Sequence, residues 1–527
     1  MASPKFQLLS FLSIVGVASA GSMVLHEWRT APPAGFTSLG AAPASEMLTL
    51  RVGLTSNING LQDHLLSIST PGSTDFRQWL SVDEVKSYAQ PSPVTIDTFN
   101  SFASANGLQP NANTLFAAHF EHFTHPNMTA PFTRTLSLSL PEELVGHVEV
   151  VHPTTAFDTP RPHPTDSITP SCLQTLYGIP LTPATQPSST FLVTGYAENW
   201  PQTAALELFL QTFRSDIPSN TTFTLESLDG GVDTQGQFFF SDVLEANPDT
   251  QYTIGLATGV PVAFLSVSND TTETEFFTSL LDTTILLASG PDPPSTMTTS
   301  YGDNEINFGS SLATKICDGY MQMAARGISV LFASGDGGVR GGHDVPIQCT
   351  NDTFIPTFPG SCSWVTSTAE AFSSGGFSDV FPMPAYQSAS VAAYLATLPS
   401  DFPGKFNASG RGFPDVSFQG SPYAVMIQDV VTPIEGASCS SPGFASVIAL
   451  INDRLVAENK PTLGFLNPWL YGTVASSGAL TDITIGHSSG DECADPMYSG
   501  FDAAVGWDPL TGLGTPIFDK LLAAALA

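Results

Sequence analysis

The chain has 527 residues, enough for two domains of ordinary size. Charged residues make up only 12% of it, yet 48 Asp and Glu against 16 Lys and Arg give a net charge of −32 at pH 7. So few basic side chains exclude a role in holding the phosphate backbone of nucleic acid. Asp and Glu titrate near pH 4, so the composition favours a protein adapted to acid, although acidic composition is also common among secreted proteins.

The first 20 residues have the pattern of a secretory signal peptide. One Lys precedes an apolar stretch at 8–17, and Ala18-Ser19-Ala20 provides the small residues of a cleavage site. This stretch is too short for a membrane span, and no later segment is long and apolar enough for one. N-glycosylation sequons lie at Asn127, Asn220, Asn269, Asn351 and Asn407. We therefore expect a secreted, extracellular protein without a membrane span.

Residues 21–152 have the pattern of an α+β domain with its own apolar positions. Strand-like segments lie at 47–54 and 132–140, and helical segments lie at 59–68 and 81–88. Residues 153–167 are rich in Pro, Thr and Asp without periodicity, which is typical of a linker.

From 168 to 527, strands and helices alternate. Strands are predicted at 190–195, 261–267 and 328–332, and helices at 202–213 and 444–455. Such alternation predicts an α/β domain, with an open, mainly parallel sheet and helices on both faces.

Six cysteines, at 172, 317, 349, 362, 439 and 493, would lie in an oxidising compartment after secretion. They could form up to three disulfides, with fifteen possible connectivities. We interpret Cys439 as a small packed residue rather than a reactive thiol.

Four side chains of the second domain form a pattern typical of a hydrolase. Ser438 lies between Gly436 and an apolar helical stretch, a setting that exposes a nucleophile beside helix-end donors. Asp336 follows a buried strand in a Gly-rich turn. Glu245 and Asp249 are spaced i, i+4, which on a helix places both carboxylates on one face. Taken singly, these residues could equally be a helix N-cap, a turn aspartate and a solvated helix face.

The second domain has two histidines, His343 and His487, and neither lies in a setting suited to a catalytic base. A serine nucleophile would then need a carboxylate as its base. Glu has a reference pKa near 4.3, against about 6.5 for His, and so stays ionised where histidine is protonated. Two close carboxylates share a proton, so one can remain a base while the other orients it. This favours a serine peptidase built for acid.

Longer motifs follow one another along the second domain: SITPSCLQTLYGIP, LEANPDTQYTIGLATGVPV, LFASGDGGV, GRGFPDVSFQG, EGASCSSPGFASVIALIN and GWDPLTGLGTPIF. On these motifs the chain resembles the sedolisin (serine-carboxyl peptidase) family, and in particular its secreted fungal tripeptidyl-peptidases. The resemblance implies a subtilisin-like sheet preceded by an α+β propeptide. The boundaries would be a signal peptide at 1–20, a propeptide at 21–152, a linker with the maturation cleavage at 153–167, and a peptidase domain at 168–527.

The resemblance also implies roles for the four side chains. Ser438 would be the nucleophile that forms an acyl-enzyme, Glu245 and Asp249 the catalytic acid pair, and Asp336 the group that stabilises the oxyanion. An aspartate can donate a hydrogen bond to an oxyanion only when it is protonated, which requires low pH or a raised pKa.

Two positions depart from the family pattern. Pro248 stands between the paired acids where an aliphatic residue is usual, and proline is tolerated only in the first turn of a helix. If the helix began near Asn247, Glu245 would precede it and the argument for a shared helix face would weaken. Ala437 replaces the Thr that is common before the nucleophile.

One structural Ca²⁺ is implied near the C terminus. Its ligands would be the carboxylates of Asp482 and Asp508 and the main-chain carbonyls of Ile483, Ala504 and Gly506. Hard oxygen ligands suit Ca²⁺, although spacing alone would make these acids ordinary loop residues. Asp495 and Asp502 are further candidate ligands.

The implied function is acid hydrolysis of peptides and proteins with release of tripeptides from free N termini; an acid endopeptidase of the same family is the alternative. A Ser-His-Asp subtilase would need a histidine between 164 and 342, where there is none. A glycosidase with paired carboxylates would leave Ser438 without a role. Nothing favours a catalytically inactive secreted binding protein, because all four matched residues are present. We expect a monomer whose partners are its substrates and its own propeptide.

Histidines are concentrated in the predicted propeptide and linker, since eight of the ten precede residue 166. We hypothesise that some must be neutral in the docked precursor, so that their protonation destabilises the propeptide and exposes the linker to cleavage. The alternative is that propeptide sequences are simply less constrained.

Overall fold

The computed structural model describes residues 22–32, 36–43, 46, 48, 50–56, 58–106, 112–124, 132–152, 154–155, 167–236, 240–268, 276–344, 349–350, 352–399, 402–490, 493 and 498–527. Several sequence predictions fall outside these residues: the signal peptide, most of the linker, the sequons at Asn127, Asn269 and Asn351, and Asp495. Within the described part, an N-terminal domain precedes a larger C-terminal domain.

The N-terminal domain is α+β, as predicted. Its strands are β1 (Met23–Trp28), β2 (Thr37–Ala41), β3 (Arg51–Leu54), β4 (Glu121–Thr124), β5 (Phe132–Arg134), β6 (Ser137–Pro141) and β7 (Val148–His152), and its helices are α1 (Asn59–Ser69), α2 (Val82–Ala89), α3 (Pro93–Asn106) and α4 (Ala112–Leu115). The strands pair as β1–β6, β3–β7 and β2–β4–β5. The segment predicted as one strand at 132–140 is two strands, because the Thr135 hydroxyl donates to the Ser137 carbonyl (2.9 Å) and turns the chain.

The C-terminal domain alternates strands and helices. The strands are β8 (Phe191–Gly195), β9 (Thr224–Leu228), β10 (Val262–Val267), β11 (Thr296–Thr299), β12 (Asp303–Asn304), β13 (Ser329–Ala333), β14 (Thr357–Phe358), β15 (Thr366–Ala369), β16 (Gly376–Pro382), β17 (Gly410–Phe413), β18 (Val416–Ser417), β19 (Tyr423–Ile427), β20 (Val430–Ile434), β21 (Leu480–Thr481) and β22 (Thr515–Pro516). The helices are α5 (Pro170–Tyr177), α6 (Thr203–Phe213), α7 (Ala246–Leu256), α8 (Phe276–Ser289), α9 (Glu305–Phe308), α10 (Ser310–Ala325), α11 (Ser388–Leu395), α12 (Ala437–Ala457), α13 (Asn467–Trp469) and α14 (Phe518–Leu526).

A seven-stranded parallel sheet organises this domain, in the order β18-β15-β13-β11-β8-β10-β9. Along β8, Phe191 and Val193 lie in one apolar cluster with residues of α6, α7 and α12, whereas Leu192 lies in another with residues of α8 and α10. Alternate side chains of a strand point to opposite faces, so helices cover both sides of the sheet. The predicted α/β fold class is confirmed.

The two domains share apolar core on one side of the sheet. Helix α1 contributes Leu61 and Leu65 to the cluster that also contains Ile316 of α10 and Phe277 of α8. Burial of this kind is the main favourable term in docking one domain on another. The N-terminal domain therefore packs closely against the outer surface of α8 and α10.

Two disulfides form, Cys317–Cys362 and Cys349–Cys493, whereas Cys172 and Cys439 carry free thiols. Cys439 is fully buried in the larger core cluster, in keeping with the predicted packing role. Among the described helices, none combines the length and apolar character needed to cross a membrane.

The histidines of the N-terminal domain lie in different surroundings. His152 is buried with its ring 6.4 Å from that of Phe277 in the C-terminal domain. In contrast, His64, His122 and His147 contact Tyr88, Glu46 and Thr95 of their own domain. His125 and His163 lie outside the described residues. The histidine trigger stays a prediction, and His152 is the described histidine best placed to act across the domain interface.

Candidate active site

The predicted nucleophile and oxyanion residue meet at one end of the parallel sheet. Asp336 follows β13, and Ser438 lies in the first turn of α12. Both line a small cavity, together with Ser300, which follows β11. Carboxyl ends of parallel strands meet at a common edge, where α/β folds bind their ligands.

Gly436 allows α12 to begin beside Asp336. Its φ of +138° is a conformation that residues with a side chain rarely adopt, and a Cβ atom there would lie 3.0 Å from Asp336 Oδ2. The next residue, Ala437, donates its N–H to Asp336 Oδ1 (2.6 Å). Helix α12 therefore begins at Ala437, in keeping with the helix start expected next to Ser438.

Pro442 inside α12 has a consequence for Ser438. Proline has no N–H, so it cannot donate to the carbonyl four residues earlier, which belongs to Ser438. The Ser300 hydroxyl donates to that carbonyl instead (3.1 Å), and the Ser438 hydroxyl donates to the Ser300 carbonyl (3.3 Å). Two hydrogen bonds, one donated by each residue, thus connect Ser438 to Ser300 at the end of β11.

The paired acids keep helical geometry despite Pro248. Helix α7 begins at Ala246, and Glu245 before it already has helical dihedral angles (φ −88°, ψ −46°). The Asp249 N–H points back to the Glu245 carbonyl, 3.4 Å away. Pro248 lies in the first turn, where its missing N–H would have had no partner within the helix. The two acids therefore remain one helical turn apart.

Asn199 caps this helix from outside. Its side-chain oxygen accepts the N–H groups of Glu245 (3.1 Å) and Ala246 (2.9 Å). These groups are among the first N–H groups of the helix, which have no partner within it. The cap therefore comes from Asn199 rather than from the Glu245 carboxylate.

Asp249 is buried, with 1% of its surface exposed. Burial raises its pKa well above the usual range, the negative charge of Glu245 raises it further, and the Ser300 hydroxyl, which donates to Oδ1 (2.7 Å), opposes the shift. Burial and the neighbouring Glu245 therefore both favour the protonated form of Asp249.

Ser300 joins the acid pair to the nucleophile candidate, and sequence reasoning missed it. Its hydroxyl contacts both Asp249 and the Ser438 carbonyl. The available signal was its position directly after a Thr-rich strand, at the carboxyl end where catalytic side chains of parallel sheets gather. The structure thus places Ser300, Asp336 and Ser438 around one cavity, and the Ser300 hydroxyl connects it to Asp249.

The five predicted calcium ligands also lie together. Asp508 is fully buried and accepts N–H groups from Ala504 (2.9 Å), Leu510 (3.0 Å) and Thr511 (2.7 Å). The side chain of Asp482 accepts the Gly506 N–H (2.8 Å), and the Thr511 hydroxyl lies 3.4 Å from the Ile483 carbonyl and 3.2 Å from Asp508 Oδ1.

The carboxylates of Asp482 and Asp508 and the nearby Ile483 carbonyl are hard oxygen ligands of the kind that Ca²⁺ prefers. Burial raises the pKa of Asp508 to about 6, although the N–H groups oppose the shift, so the fold carries an electrostatic cost that a cation would relieve. Within the described residues there is no cluster of three or more His, Cys, Asp or Glu side chains that could hold a metal, so main-chain carbonyls would have to complete the site. Asp502 contacts His487 (2.7 Å).

Both domains of the chain are similar to known proteins. Residues 34–113 and 110–157 match the family model described as Pro-kumamolisin, activation domain. Tripeptidyl-peptidase SED2 of Arthroderma otae is 31% identical, covering 98% of this chain and 98% of its own. Tripeptidyl-peptidase SED4 of the same organism is 31% identical, covering 94% of this chain and 93% of its own.

Among solved structures, Pseudomonas sedolisin, a serine-carboxyl proteinase complexed with two molecules of pseudo-iodotyrostatin, superposes with a TM-score of 0.54. The alignment covers 68% of this chain and 98% of that chain at 18% identity, so it shows a shared fold.

Proposed function

Because the chain belongs to the sedolisin family of serine-carboxyl peptidases, we propose that it is secreted, acts in acid, and releases tripeptides from the free N termini of peptides and proteins. It is a serine-type peptidase with an N-terminal activation domain. The name of the relatives, tripeptidyl-peptidase, supports the product, and the acidic composition supports the pH range. We propose a propeptide at 21–152, cleavage within 153–167 and a peptidase domain at 168–527.

The observation that carries the acid mechanism is the buried Asp249, whose pKa is raised, one helical turn from Glu245. In the proposed reaction, the Ser438 hydroxyl attacks the carbonyl carbon of the scissile bond while Glu245 takes up its proton. The proton then passes to the leaving amine, and the acyl group remains on Ser438 until water, activated by the same base, releases it. Asp249 shares a proton with Glu245 and so keeps the pair at a single negative charge.

Asp336 would stabilise the oxyanion of the tetrahedral intermediate. Its Oδ1 accepts the Ala437 N–H, so the proton needed for donation would lie on Oδ2. The positive end of α12, which begins at Ala437, adds electrostatic stabilisation at the same place. Both effects act on negative charge that develops only during the reaction.

We further propose one structural Ca²⁺ held by the Asp482 and Asp508 carboxylates and the main-chain carbonyls of Ile483, Ala504 and Gly506. When bound, the ion would neutralise the buried charge at Asp508 and join the loop after β21 to the loop before β22. Neither loop contributes to the cavity lined by Ser438, so the expected role of the ion is stability rather than catalysis.

Digestion of a long peptide at pH 4, followed by mass spectrometry, tests the function. A ladder of products shortened in steps of three residues from the N terminus is expected, and Ser438→Ala is the inactive control. Internal fragments without such a ladder would instead support the endopeptidase alternative. Cleavage by the purified Ser438→Ala protein would contradict the assignment of the nucleophile.

A further inference from the structure

A short segment of the propeptide inserts a tryptophan into the peptidase domain. Trp79 lies between α1 and α2, and its ring packs against two glycines. A Cβ atom built on Gly464 would lie 2.2 Å from the ring, and one built on Gly327 would lie 2.6 Å from it. Both distances are far below van der Waals contact, so only glycine at these two positions leaves room for the indole.

Polar contacts of the same segment fix its position. Trp79 Nε1 donates to the Thr462 carbonyl (3.1 Å), the Leu80 N–H to the Ala325 carbonyl (2.8 Å), and the Arg77 guanidinium to the Ala525 carbonyl (3.1 Å). Ala325 is the last residue of α10, and Ala525 lies in the last turn of α14. Carbonyls at helix C termini lack donors within the helix and carry partial negative charge. The segment therefore caps two peptidase helices while it fills the space between the glycines.

The peptidase domain builds this slot by itself. The Thr462 hydroxyl donates to the Gly327 carbonyl (3.4 Å), and the Ser329 hydroxyl donates to the Gly464 carbonyl (2.7 Å). Both bonds join the two glycine-containing loops without any propeptide atom. The slot should therefore keep its shape when the propeptide leaves.

The slot and the active site lie at opposite ends of the sheet. Gly327 precedes β13, whereas Asp336 follows it. The five residues of this strand separate the two ends by roughly 15 Å, at about 3.3 Å per residue. A ligand in the slot would therefore not block the cavity lined by Ser438.

We propose that the slot formed by Gly327, Thr462 and Gly464 is a docking site, separate from the active site, that holds the propeptide through Trp79 before and after cleavage and rebinds it in trans. This inference rests on the proposed function in one respect, because only a propeptide cut from the peptidase domain can leave the slot. Trp79 is partly buried and its N–H has a partner, and tryptophans fitted into pockets are typical of the residues that dominate binding energy at interfaces.

The test uses the full chain with Ser438→Ala and a recognition site for an added protease inserted within 156–166. After cutting, dissociation of the propeptide from the immobilised peptidase domain is measured. We expect the Trp79→Ala propeptide to dissociate at least about tenfold faster than wild type. Trp28→Ala is the matched control, since Trp28 is a propeptide tryptophan that is 65% exposed, and its dissociation rate should not change. Equal rates for wild type and Trp79→Ala would overturn the proposal.

Two further measurements keep the proposal testable. If the Trp79→Ala precursor does not accumulate, Trp79→Phe retains a ring but loses the bond to Thr462, and it should dissociate severalfold faster; an unchanged rate would overturn the proposal. A synthetic peptide of residues 73–83 should speed release of the wild-type propeptide, and the same peptide with Ala at position 79 should not. Equal effects of both peptides would show that the slot is not the binding site. Self-cleavage of the Ser438→Ala precursor would contradict the proposed function but leave this test intact, because the added protease makes the cut.

Discussion

Two buried aspartates of the peptidase domain show how neighbouring groups determine whether a carboxyl group is charged or protonated. Asp508 accepts three backbone N–H groups, all of which favour its charged form, and burial raises its pKa only to about 6. Asp249 accepts one hydroxyl, and burial together with the negative charge of Glu245 raises its pKa well above the usual range. The first environment suits an anion awaiting a cation, and the second suits an acid that keeps its proton.

The largest expected effect concerns Glu245. Glu245→Gln removes the base but keeps the shape of the side chain, so we expect kcat/KM to fall by about 10²–10⁴-fold at pH 4 with little change in melting temperature. The measurement is peptide hydrolysis by purified protein in which the linker has been cut by an added protease. Wild-type turnover in this variant would refute the assignment of the base.

Asp249→Asn tests whether Asp249, unlike Asp508, is uncharged in the folded protein. Asparagine is neutral at every pH, as Asp249 is expected to be in the fold, and its side-chain oxygen can still accept the Ser300 hydroxyl. We expect melting temperatures at pH 4 within a few degrees of wild type, but a marked loss of kcat because the shared proton is gone. A variant that unfolds at room temperature would show that the charge of Asp249 supports the fold.

Asp336 can be tested with two substitutions. Asp336→Ala should lower kcat by about 10²–10³-fold, the usual cost of losing an oxyanion donor. Asp336→Asn can donate at any pH, so we expect it to retain more activity than Asp336→Ala and to extend activity above the pH at which the wild type declines. Identical pH profiles for wild type and Asp336→Asn would contradict the role of a protonated Asp336.

Asp508→Asn should affect stability rather than chemistry. Asparagine replaces one of the two acceptor oxygens with an NH₂ group, so at least one buried N–H loses its acceptor and the free energy of unfolding should fall by about 1–3 kcal/mol. If Ca²⁺ binds there, a chelator should lower the melting temperature of the wild type and have little further effect on the variant, because a ligand of the folded state stabilises by mass action. Equal wild-type melting temperatures with and without chelator would count against the ion.

The smallest expected effect lies at the domain interface. Burial and the negative charge of Glu149 raise the pKa of Asp318 to about 7, while Lys315 opposes the shift. Its protonated form stabilises the folded precursor below about pH 4, and this contribution is lost as pH rises through 7. Asp318→Asn should therefore flatten the decline of the precursor melting temperature between pH 4 and pH 8. An unchanged slope of melting temperature against pH would show that the Asp318 carboxyl does not control the pH dependence of precursor stability.

The α/β class could be predicted from the sequence. So could the strand end that carries Asp336 and the helix start that carries Ser438. Such features depend on local patterns of apolar and small residues. Ser300, the Asn199 cap and the disulfide pairing could not be predicted, because each depends on contacts between segments distant in the chain.

The Ser300 hydroxyl has fewer hydrogens than it has acceptors in reach. It carries one hydrogen, yet it faces two acceptors, Asp249 Oδ1 at 2.7 Å and the Ser438 carbonyl at 3.1 Å. If Asp249 is ionised, one of these two acceptors receives no hydrogen bond from Ser300. When the proton of Asp249 lies on Oδ1 rather than toward Glu245, it supplies the hydrogen for the first contact, and Ser300 turns its own hydrogen to the second. Both contacts are then satisfied at once, so gaining a single proton at Asp249 tightens the connection to the residue proposed to attack the substrate.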